Sequence, residues 1–261
     1  MLENALPFIP LKIVVFALYA LQSPDGVALR DCQAAIILVH GMAANEKSWF
    51  GVPKFLEGEK HTVAAVPLPG HDKPFLTPGD LTIKMADYVS KVVDYFPKTG
   101  EKVILIGHSM GGQVITHVAA EHPGRINRLI YVAAMLPQDG DSANDIKDAS
   151  NFDPQRSTFQ LAPYIEKYRD VFASQPDGPL NEKLKLPDVK DGTRLKEFNA
   201  LSRYYIWCSK DEVLPSAHQK IMANAAVIKS DYIEIIAADH IPQKSKTKEL
   251  NAALKKIIDT I

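Results

Sequence analysis

Ser109 is the residue with the most specific chemical signature in this sequence. It stands at the centre of the run GHSMG at 107–111, which matches the pattern G-x-S-x-G. An apolar run at 102–106 precedes it and an amphipathic stretch follows, as in a strand that turns sharply into a helix. Such a tight turn strains the central residue and raises its hydroxyl above the sheet. Ser109 is therefore the predicted nucleophile.

A serine hydroxyl is a weak nucleophile and needs a general base that a third group orients. His240 follows the last strand-like run, where a loop lies above the carboxyl ends of parallel strands. We predict His240 as the base and Asp211, which follows the preceding strand-like run, as the orienting acid. Glu212 and Asp139 remain alternatives for the acid. Asp239 adjoins the base in sequence and is expected to structure the loop.

Two main-chain N–H groups are needed to bind the oxyanion that forms when a serine attacks a carbonyl. One predicted donor is Met110, which opens the helix after the nucleophile. The other is Met42, in the loop HGMA at 40–43 after the first strand-like run. His40 is predicted to brace this loop by a side-chain hydrogen bond. Four other histidines are interpreted as surface or packing residues: His61, His117, His122 and His218.

The elements that must position these residues alternate along the chain. Apolar runs predict strands at 34–40, 62–66, 102–106, 129–133, 204–208 and 232–236. Amphipathic stretches predict helices at 47–57, 82–96, 111–121, 216–225 and 247–258. This alternation predicts an α/β fold, with a mostly parallel central sheet and helices on both faces.

One interval, 136–201, lacks any strand-length apolar run. It is predicted to be a small lid inserted before the penultimate strand, with 1–135 and 202–261 forming the core domain. The predicted substrate contacts are Gly41, His108, Phe152, Phe159, Leu161 and Tyr164. For His108 a packing role is favoured, because its side chain is expected to point away from the nucleophile.

The composition excludes several classes of function. There are 30 Lys and Arg residues against 31 Asp and Glu, so the chain lacks the excess of positive charge that binding to a nucleic-acid backbone needs. The two cysteines, Cys32 and Cys208, cannot form a disulfide framework or a four-ligand zinc site. Neither a metal motif nor a nucleotide-binding glycine motif is present. We therefore expect no cofactor and no metal, and a small-molecule partner.

The N-terminal region is open to several interpretations. Its apolar run at 11–21 is shorter than the roughly 20 residues that span a bilayer. Residues 1–33 are thus a signal, a packed arm or a first strand. We expect a cytoplasmic protein without a membrane span, with export as the alternative, and a homodimer is left open.

Taken together, these residues resemble the α/β-hydrolase superfamily, in which the nucleophile, acid and histidine follow one another in the order Ser109, Asp211, His240. The resemblance covers nearly the whole chain. The runs CSKD at 208–211 and ADH at 238–240 are similar to the plant methylesterase and hydroxynitrile lyase branch. The resemblance implies the same triad and oxyanion donors at the positions predicted above.

Two positions discriminate within this branch. Its lyases carry Thr or Asn where this chain has Gly41, and one subgroup has Lys where this chain has Ile241. The resemblance therefore implies a serine-dependent carboxylic ester hydrolase that works through an acyl-enzyme. The interval between Ser109 and Asp211 is shorter than is usual in the plant enzymes, so their substrates are not carried over.

The substrate is expected to be a small to medium apolar ester. This expectation depends on the aromatic residues of the predicted lid and on Met42 and Trp49, although Trp49 could equally belong to the core. Lactone or acyl-homoserine-lactone hydrolysis needs the same triad and remains an alternative. A hydroxynitrile lyase and a ligand-binding receptor on the same fold are further alternatives. Epoxide and haloalkane hydrolysis are disfavoured, because their nucleophile is an aspartate.

Overall fold

Six parallel strands form the centre of the molecule. The computed structural model describes residues 34–42, 44–71, 82–150, 177–226, 228 and 233–260. The strands within these ranges are β1 Ala35–Val39, β2 Thr62–Val66, β3 Val103–His108, β4 Ile126–Val132, β5 Ser202–Cys208 and β6 Ile233–Ile236. They form one sheet of order β2-β1-β3-β4-β5-β6, in which every neighbouring pair is parallel.

The central strands are apolar on both faces because helices cover both sides of the sheet. All residues of β1 and β3 are buried, as expected for strands inside a parallel α/β sheet. In the register of the sheet, Ile37 of β1 lies between Ala64 of β2 and Leu105 of β3. Parallel pairing throughout brings the carboxyl ends of all six strands to one edge, where ligands bind in folds of this kind.

Eight α-helices lie in the described ranges. They are α1 Val52–Gly58, α2 Met85–Val93, α3 Gly111–Glu121, α4 Ala143–Ser150, α5 Gly192–Ala200, α6 Ser216–Ala225, α7 Pro242–Ser245 and α8 Thr247–Ile258. Short 3-10 helices lie at Glu46–Trp49 and Pro123–Arg125. The predicted bounds of α3, α6 and α8 are confirmed.

The helix predicted at 47–57 was wrong in one respect, because the structure divides it in two. A 3-10 helix ends at Trp49 and α1 begins at Val52. Between them Phe50 has a φ of 47°, which no helix interior allows. Pro53 lies in the first turn of α1, where proline is tolerated because its missing N–H would have no intrahelical partner.

The helix predicted at 82–96 is shorter than expected, since α2 spans Met85–Val93. Its start is fixed by a side-chain contact, in which the N–H of Lys84 donates to Asp87 Oδ2 at 2.8 Å. A carboxylate in the first turn caps the free N–H groups there and complements the helix dipole. The capping contact, rather than apolar periodicity, determines where α2 begins.

Side chains alternate between two hydrophobic clusters, one on each face of the sheet. Along β1, Ile37 belongs to the cluster beneath α2 and α3, whereas Ile36 and Leu38 belong to the cluster beneath α1 and α8. This alternation follows from the two-residue period of a strand. The predicted mostly parallel sheet with helices on both faces is confirmed.

Between β4 and β5 the described residues contain two helices and no strand. The helix α5 packs on α3 and buries Phe198, while Leu180 and Leu184 join the same hydrophobic cluster. The backbone N–H of Leu184 donates to the carbonyl of Asp141 at 2.8 Å. The packing of Phe198, Leu180 and Leu184 therefore anchors described parts of the insertion to the core, and the lid at 136–201 stays a prediction.

The N-terminal predictions for 1–33, and with them Cys32, lie outside the described residues. None of the helices in the described ranges combines the length and the apolar character that crossing a bilayer requires.

Acid should destabilise this fold, because several buried histidines are held neutral in it. Burial lowers the pKa of His117 and of His40 to about 4 and that of His108 to about 3. In the unfolded chain a histidine titrates near about 6.5. The unfolded chain therefore takes up protons first, so the free energy of unfolding falls below that pH by about 1.4 kcal/mol per pH unit for each such histidine. For His117 this loss continues until the pH reaches its folded pKa of about 4.

His117 allows this effect to be measured away from the carboxyl edge of the sheet. It lies within α3, is 6% exposed, and owes its lowered pKa to burial. The free energy of unfolding is measured in urea between about pH 6 and about pH 4.5. It should fall less steeply with decreasing pH in His117→Gln than in the wild type, because the variant takes up about one proton fewer on unfolding. Equal slopes for the two proteins would contradict the burial of a neutral imidazole at this position.

Candidate active site

Ser109 occupies the sharp turn between β3 and α3. Its φ is 53°, a left-handed conformation that strains any residue other than glycine. Three backbone hydrogen bonds hold it there. The N–H of Ser109 donates to Val132 O at 3.3 Å, and its carbonyl accepts from Met135 N at 2.9 Å and from Gly112 N at 3.0 Å. Main-chain groups at and just after the end of β4 thus hold Ser109 in this strained conformation.

The glycines around Ser109 are required by the space available. A Cβ on Gly107 would lie 2.6 Å from the carbonyl oxygen of Gly111. A Cβ on Gly111 would lie 2.4 Å from the carbonyl oxygen of Val39 in β1. Both distances are shorter than real Cβ contacts, so α3 can cross β1 this closely only where side chains are absent.

Gly111→Ala should consequently destabilise the protein far more than the same change in an open position. We expect the free energy of unfolding to fall by about 3 kcal/mol or more, because the added methyl meets immobile backbone. Gly58, near the end of α1, provides the control, because a Cβ added there would meet no atom within 4 Å. Gly58→Ala should change stability by no more than about 1 kcal/mol. Equal losses in urea unfolding would contradict the tight crossing.

The side chains of Ser109, His240 and Asp211 form a continuous hydrogen-bonded chain. Ser109 Oγ lies 2.9 Å from His240 Nε2, and His240 Nδ1 lies 2.7 Å from Asp211 Oδ2. A carboxylate oxygen accepts, so Nδ1 carries the proton and Nε2 is left to accept from the serine hydroxyl. The exposed fractions are 4% for Ser109, 6% for His240 and 3% for Asp211. The imidazole is thus oriented to remove a proton from Ser109.

Asp211 is held by main-chain and side-chain donors as well as by the imidazole. Its Oδ1 accepts from the N–H groups of Val213 at 2.9 Å and Leu214 at 3.0 Å, and its Oδ2 accepts from Gln219 Nε2 at 2.8 Å. Four N–H donors in all, counting His240 Nδ1–H, therefore satisfy this buried side chain and fix its orientation towards the imidazole. This role of Gln219 was not predicted from the sequence, although its place in the first two turns of the helix after the acid was a usable signal.

The alternative acids lie elsewhere. Glu212 and Asp139 are exposed, and Asp139 accepts from a main-chain N–H of the insertion. Asp239 Oδ1 accepts from Ile241 N at 3.0 Å and from Ser245 Oγ at 2.7 Å, so it braces the loop after the base. Among the candidate acids in the described ranges, the structure brings only Asp211 to His240.

The predicted oxyanion donors flank the serine from two loops. Gly41 lies directly against Ser109, because a Cβ on Gly41 would be 2.9 Å from Ser109 Cβ. Met42 follows it and is half-buried, while Met110 is the N-cap of α3, where N–H groups lack intrahelical partners. In the described ranges neither N–H donates to a backbone carbonyl. Both groups remain the predicted donors.

His108 contacts the main chain of His240. Its Nε2–H donates to the carbonyl oxygen of His240 at 2.7 Å, and the two ring centroids are 5.1 Å apart. Burial lowers the pKa of His108 to about 3, so this donor stays neutral. His108 thereby ties the loop of the base to the strand of the nucleophile, and a substrate contact for it stays a prediction.

Other predicted contacts fall outside the site as described. Phe152, Phe159, Leu161 and Tyr164 lie outside the described residues. Trp49 is fully buried in the hydrophobic cluster beneath α1, so it belongs to the core and offers no surface to a substrate. The insertion contacts α3 through Gln113, whose Nε2 donates to the carbonyls of Pro179 and Glu182.

The part of the chain that the structure describes offers neither a metal site nor a reactive thiol. There, no group of three His, Cys, Asp or Glu side chains is arranged to hold a metal ion. Cys208 is a buried free thiol, and burial raises its pKa well above the ordinary value. A thiol in that environment is inert as a nucleophile near neutral pH.

Known proteins resemble this chain over most of its length. A family model for the alpha/beta hydrolase family matches residues 36–253. Methylesterase 7 of Arabidopsis thaliana is 28% identical over 269 residues, covering 88% of this chain and 98% of that protein. A pyrethroid hydrolase from Sphingobium faniae JZ-2 is 26% identical, with a TM-score of 0.60 and coverage of 87% of this chain and 97% of that one. Polyneuridine aldehyde esterase is 21% identical, with a TM-score of 0.66 and coverage of 86% and 99%.

These matches confirm the predicted resemblance to the methylesterase branch and the predicted fold. The first relative is named as an esterase and the second as a hydrolase, which supports an esterase of this fold at that level of description. The third, at lower identity, adds evidence for the fold alone.

Proposed function

Since the chain belongs to the alpha/beta hydrolase family, we propose that it is a serine-dependent carboxylic ester hydrolase that works through an acyl-enzyme. The observation that carries this proposal is the unbroken hydrogen-bonded chain from Ser109 Oγ through His240 to Asp211. Relatives named methylesterase and pyrethroid hydrolase support the same class of reaction.

Acylation would begin with attack of Ser109 Oγ on the carbonyl carbon of the ester. As the new C–O bond forms, the hydroxyl proton passes to His240 Nε2, and Asp211 stabilises the imidazolium. The tetrahedral intermediate then collapses, the bond to the alcohol breaks, and His240 returns its proton to the departing oxygen. The alcohol leaves and the acyl group remains on Ser109.

Deacylation would repeat these steps with water as the nucleophile. His240 Nε2 removes a proton from the water as it attacks the acyl carbon, and then protonates Ser109 Oγ as the acid leaves. In both halves the carbonyl oxygen becomes negatively charged and accepts from the N–H groups of Met42 and Met110. The cycle consumes one ester and one water and restores the enzyme.

The proposed substrate is a small to medium apolar ester. Met42, in the loop beside Ser109, is half-buried and packs against the hydrophobic cluster beneath α2 and α3, which supports an apolar substrate. We propose that the insertion at 136–201 forms a lid over this site. The contacts of its described residues with the core, by the packing of Leu184 in the hydrophobic cluster and by the hydrogen bond from Gln113 to a main-chain carbonyl of the insertion, support that placement.

Close packing at Gly41 favours hydrolysis over the lyase alternative. A side chain there would meet Ser109 Cβ at 2.9 Å and His108 Nδ1 at 3.1 Å. The threonine or asparagine of the lyases would therefore displace its neighbours in this chain. Lactone hydrolysis uses the same groups in the same steps, so it remains the second candidate.

Nitrophenyl esters of increasing acyl length test this proposal. We expect turnover of the acetate, butyrate and octanoate, with a maximum that reports the depth of the acyl pocket, and slower turnover of the dodecanoate. An acyl-homoserine lactone and a cyanohydrin are assayed beside them. Folded protein that turns over the lactone but no ester would favour lactonase activity. Cyanohydrin cleavage alone would contradict the proposed hydrolase.

A further inference from the structure

We propose that His71 and Tyr88 are positioning residues for the described residues 40–42 and 44, which we call the oxyanion loop. This inference rests on the proposed function, because an oxyanion forms only if Ser109 attacks a carbonyl. Both side chains are buried, with exposed fractions of 5% for His71 and 0% for Tyr88. Neither belongs to the proposed triad.

His40 sets the direction of the donor at Met42. The N–H of Leu68 donates to His40 Nε2 at 3.3 Å, so the proton of this imidazole is on Nδ1, which donates to the carbonyl oxygen of Gly41 at 2.8 Å. That carbonyl and the N–H of Met42 belong to one planar trans peptide and point in opposite directions. Holding Gly41 O towards His40 therefore directs the N–H of Met42 away from it.

His71 holds a second carbonyl, on the other side of Met42. Its Nδ1 lies 3.1 Å from the carbonyl oxygen of Ala44, and its Nε2 lies 2.8 Å from the hydroxyl oxygen of Tyr88. A carbonyl only accepts, so Nδ1 carries the proton and Nε2 accepts from the Tyr88 hydroxyl. Ala44 and Tyr88 thus favour the same tautomer of His71, and Tyr88 helps to hold the ring in the orientation that binds Ala44.

The two imidazoles act as a pair. Their ring centroids are 4.8 Å apart, and all four ring nitrogens are engaged in the hydrogen bonds described above. Burial lowers the pKa of His40 to about 4 and that of His71 well below its ordinary value, with His40 adding to the effect on His71. Both rings therefore stay neutral, each with one donor and one acceptor.

Loss of the Tyr88 hydroxyl should loosen this arrangement. Without that donor His71 Nε2 loses its hydrogen bond from Tyr88, and a contact that fixes the orientation of the ring towards Ala44 O is removed. The ring would then rotate away from Ala44 O, which weakens one of the two anchors that flank Met42. Because an oxyanion donor acts in the transition state, the loss should appear in kcat and leave KM nearly unchanged.

Tyr88→Phe is the principal test. We expect kcat for a nitrophenyl ester to fall about tenfold, less than the roughly hundredfold or greater loss that follows complete removal of an oxyanion donor. Tyr131→Phe is the matched control, because it removes the hydroxyl of another fully buried tyrosine, hydrogen-bonded to Thr116 at 2.8 Å. It should cost similar stability and leave kcat unchanged.

Replacing His71 separates positioning from packing. The amide nitrogen of His71→Asn can take the place of Nδ1 and donate to Ala44 O, whereas His71→Leu retains bulk without a donor. We expect the asparagine variant to retain severalfold more kcat than the leucine variant. Equal kcat in the two variants would contradict the hydrogen-bonding role.

A fluorophosphonate probe distinguishes failure of this inference from failure of the proposed function. The probe loses fluoride as Ser109 Oγ bonds to phosphorus, and the rate is followed by intact mass. Slower labelling of Tyr88→Phe, with Tyr131→Phe at the wild-type rate, is the expected result. Equal rates for wild type and Tyr88→Phe would overturn the inference alone. A wild type that neither reacts with the probe nor turns over esters would overturn the proposed function and the inference with it.

Discussion

Replacing Ser109 with alanine is expected to lower kcat/KM for a nitrophenyl ester by about 10⁴- to 10⁶-fold, the range seen when a triad nucleophile is removed. The change deletes only Oγ, which lies 2.9 Å from His240 Nε2. The backbone hydrogen bonds that hold the turn involve main-chain atoms and survive the substitution. Stability in urea should therefore remain close to that of the wild type.

Ser150→Ala provides the matched control for this loss. Ser150 is as buried as Ser109, at 4% exposed, and its Oγ donates to the carbonyl of Lys147 within α4. We expect the control to keep wild-type kcat/KM. Retained ester turnover in Ser109→Ala, measured on protein free of wild-type enzyme, would refute Ser109 as the nucleophile.

Asp211→Asn is expected to lower kcat by about 10⁴-fold while KM changes little. The new amide can keep its oxygen towards the N–H groups of Val213 and Leu214 only by placing its NH₂ at the position of Oδ2. There it would face two donors, His240 Nδ1–H and the amide of Gln219. The imidazole would respond by moving its proton to Nε2, where it can no longer accept from the serine.

The same conflict should reduce stability by about 1–3 kcal/mol, because a buried donor loses its acceptor. Glu212→Gln removes an equivalent charge from the adjacent, exposed residue. It should leave kcat and stability unchanged. If Glu212→Gln caused the loss and Asp211→Asn did not, the acid would be assigned to Glu212.

Much of the fold could be predicted because the signals are local. The helices α3, α6 and α8 have the predicted bounds, since apolar periodicity begins and ends within each segment. The helix predicted at 47–57 fails because the conformation of Phe50 depends on how the chain turns there, which periodicity does not encode. The helix α5 of the insertion was not predicted for a related reason, since it packs on α3 through a tertiary contact that apolar periodicity does not encode.

Part of the candidate site could likewise be predicted from the sequence and part could not. Ser109, Asp211 and His240 could be proposed because each follows a recognisable strand and the parallel sheet brings strand ends together. Contacts such as the hydrogen bond from Tyr88 to His71 join residues on separate elements, and neither residue type is diagnostic alone. They become visible only once the tertiary structure defines which groups are buried together.

The most direct test of the central claim is to locate the covalent adduct of the fluorophosphonate probe by peptide mass spectrometry. The proposed mechanism predicts a single adduct on Ser109 of the native protein, absent after prior unfolding in urea and absent from Ser109→Ala. An adduct on another residue that persists in Ser109→Ala, or no adduct on native protein that turns over esters, would contradict Ser109 as the activated nucleophile.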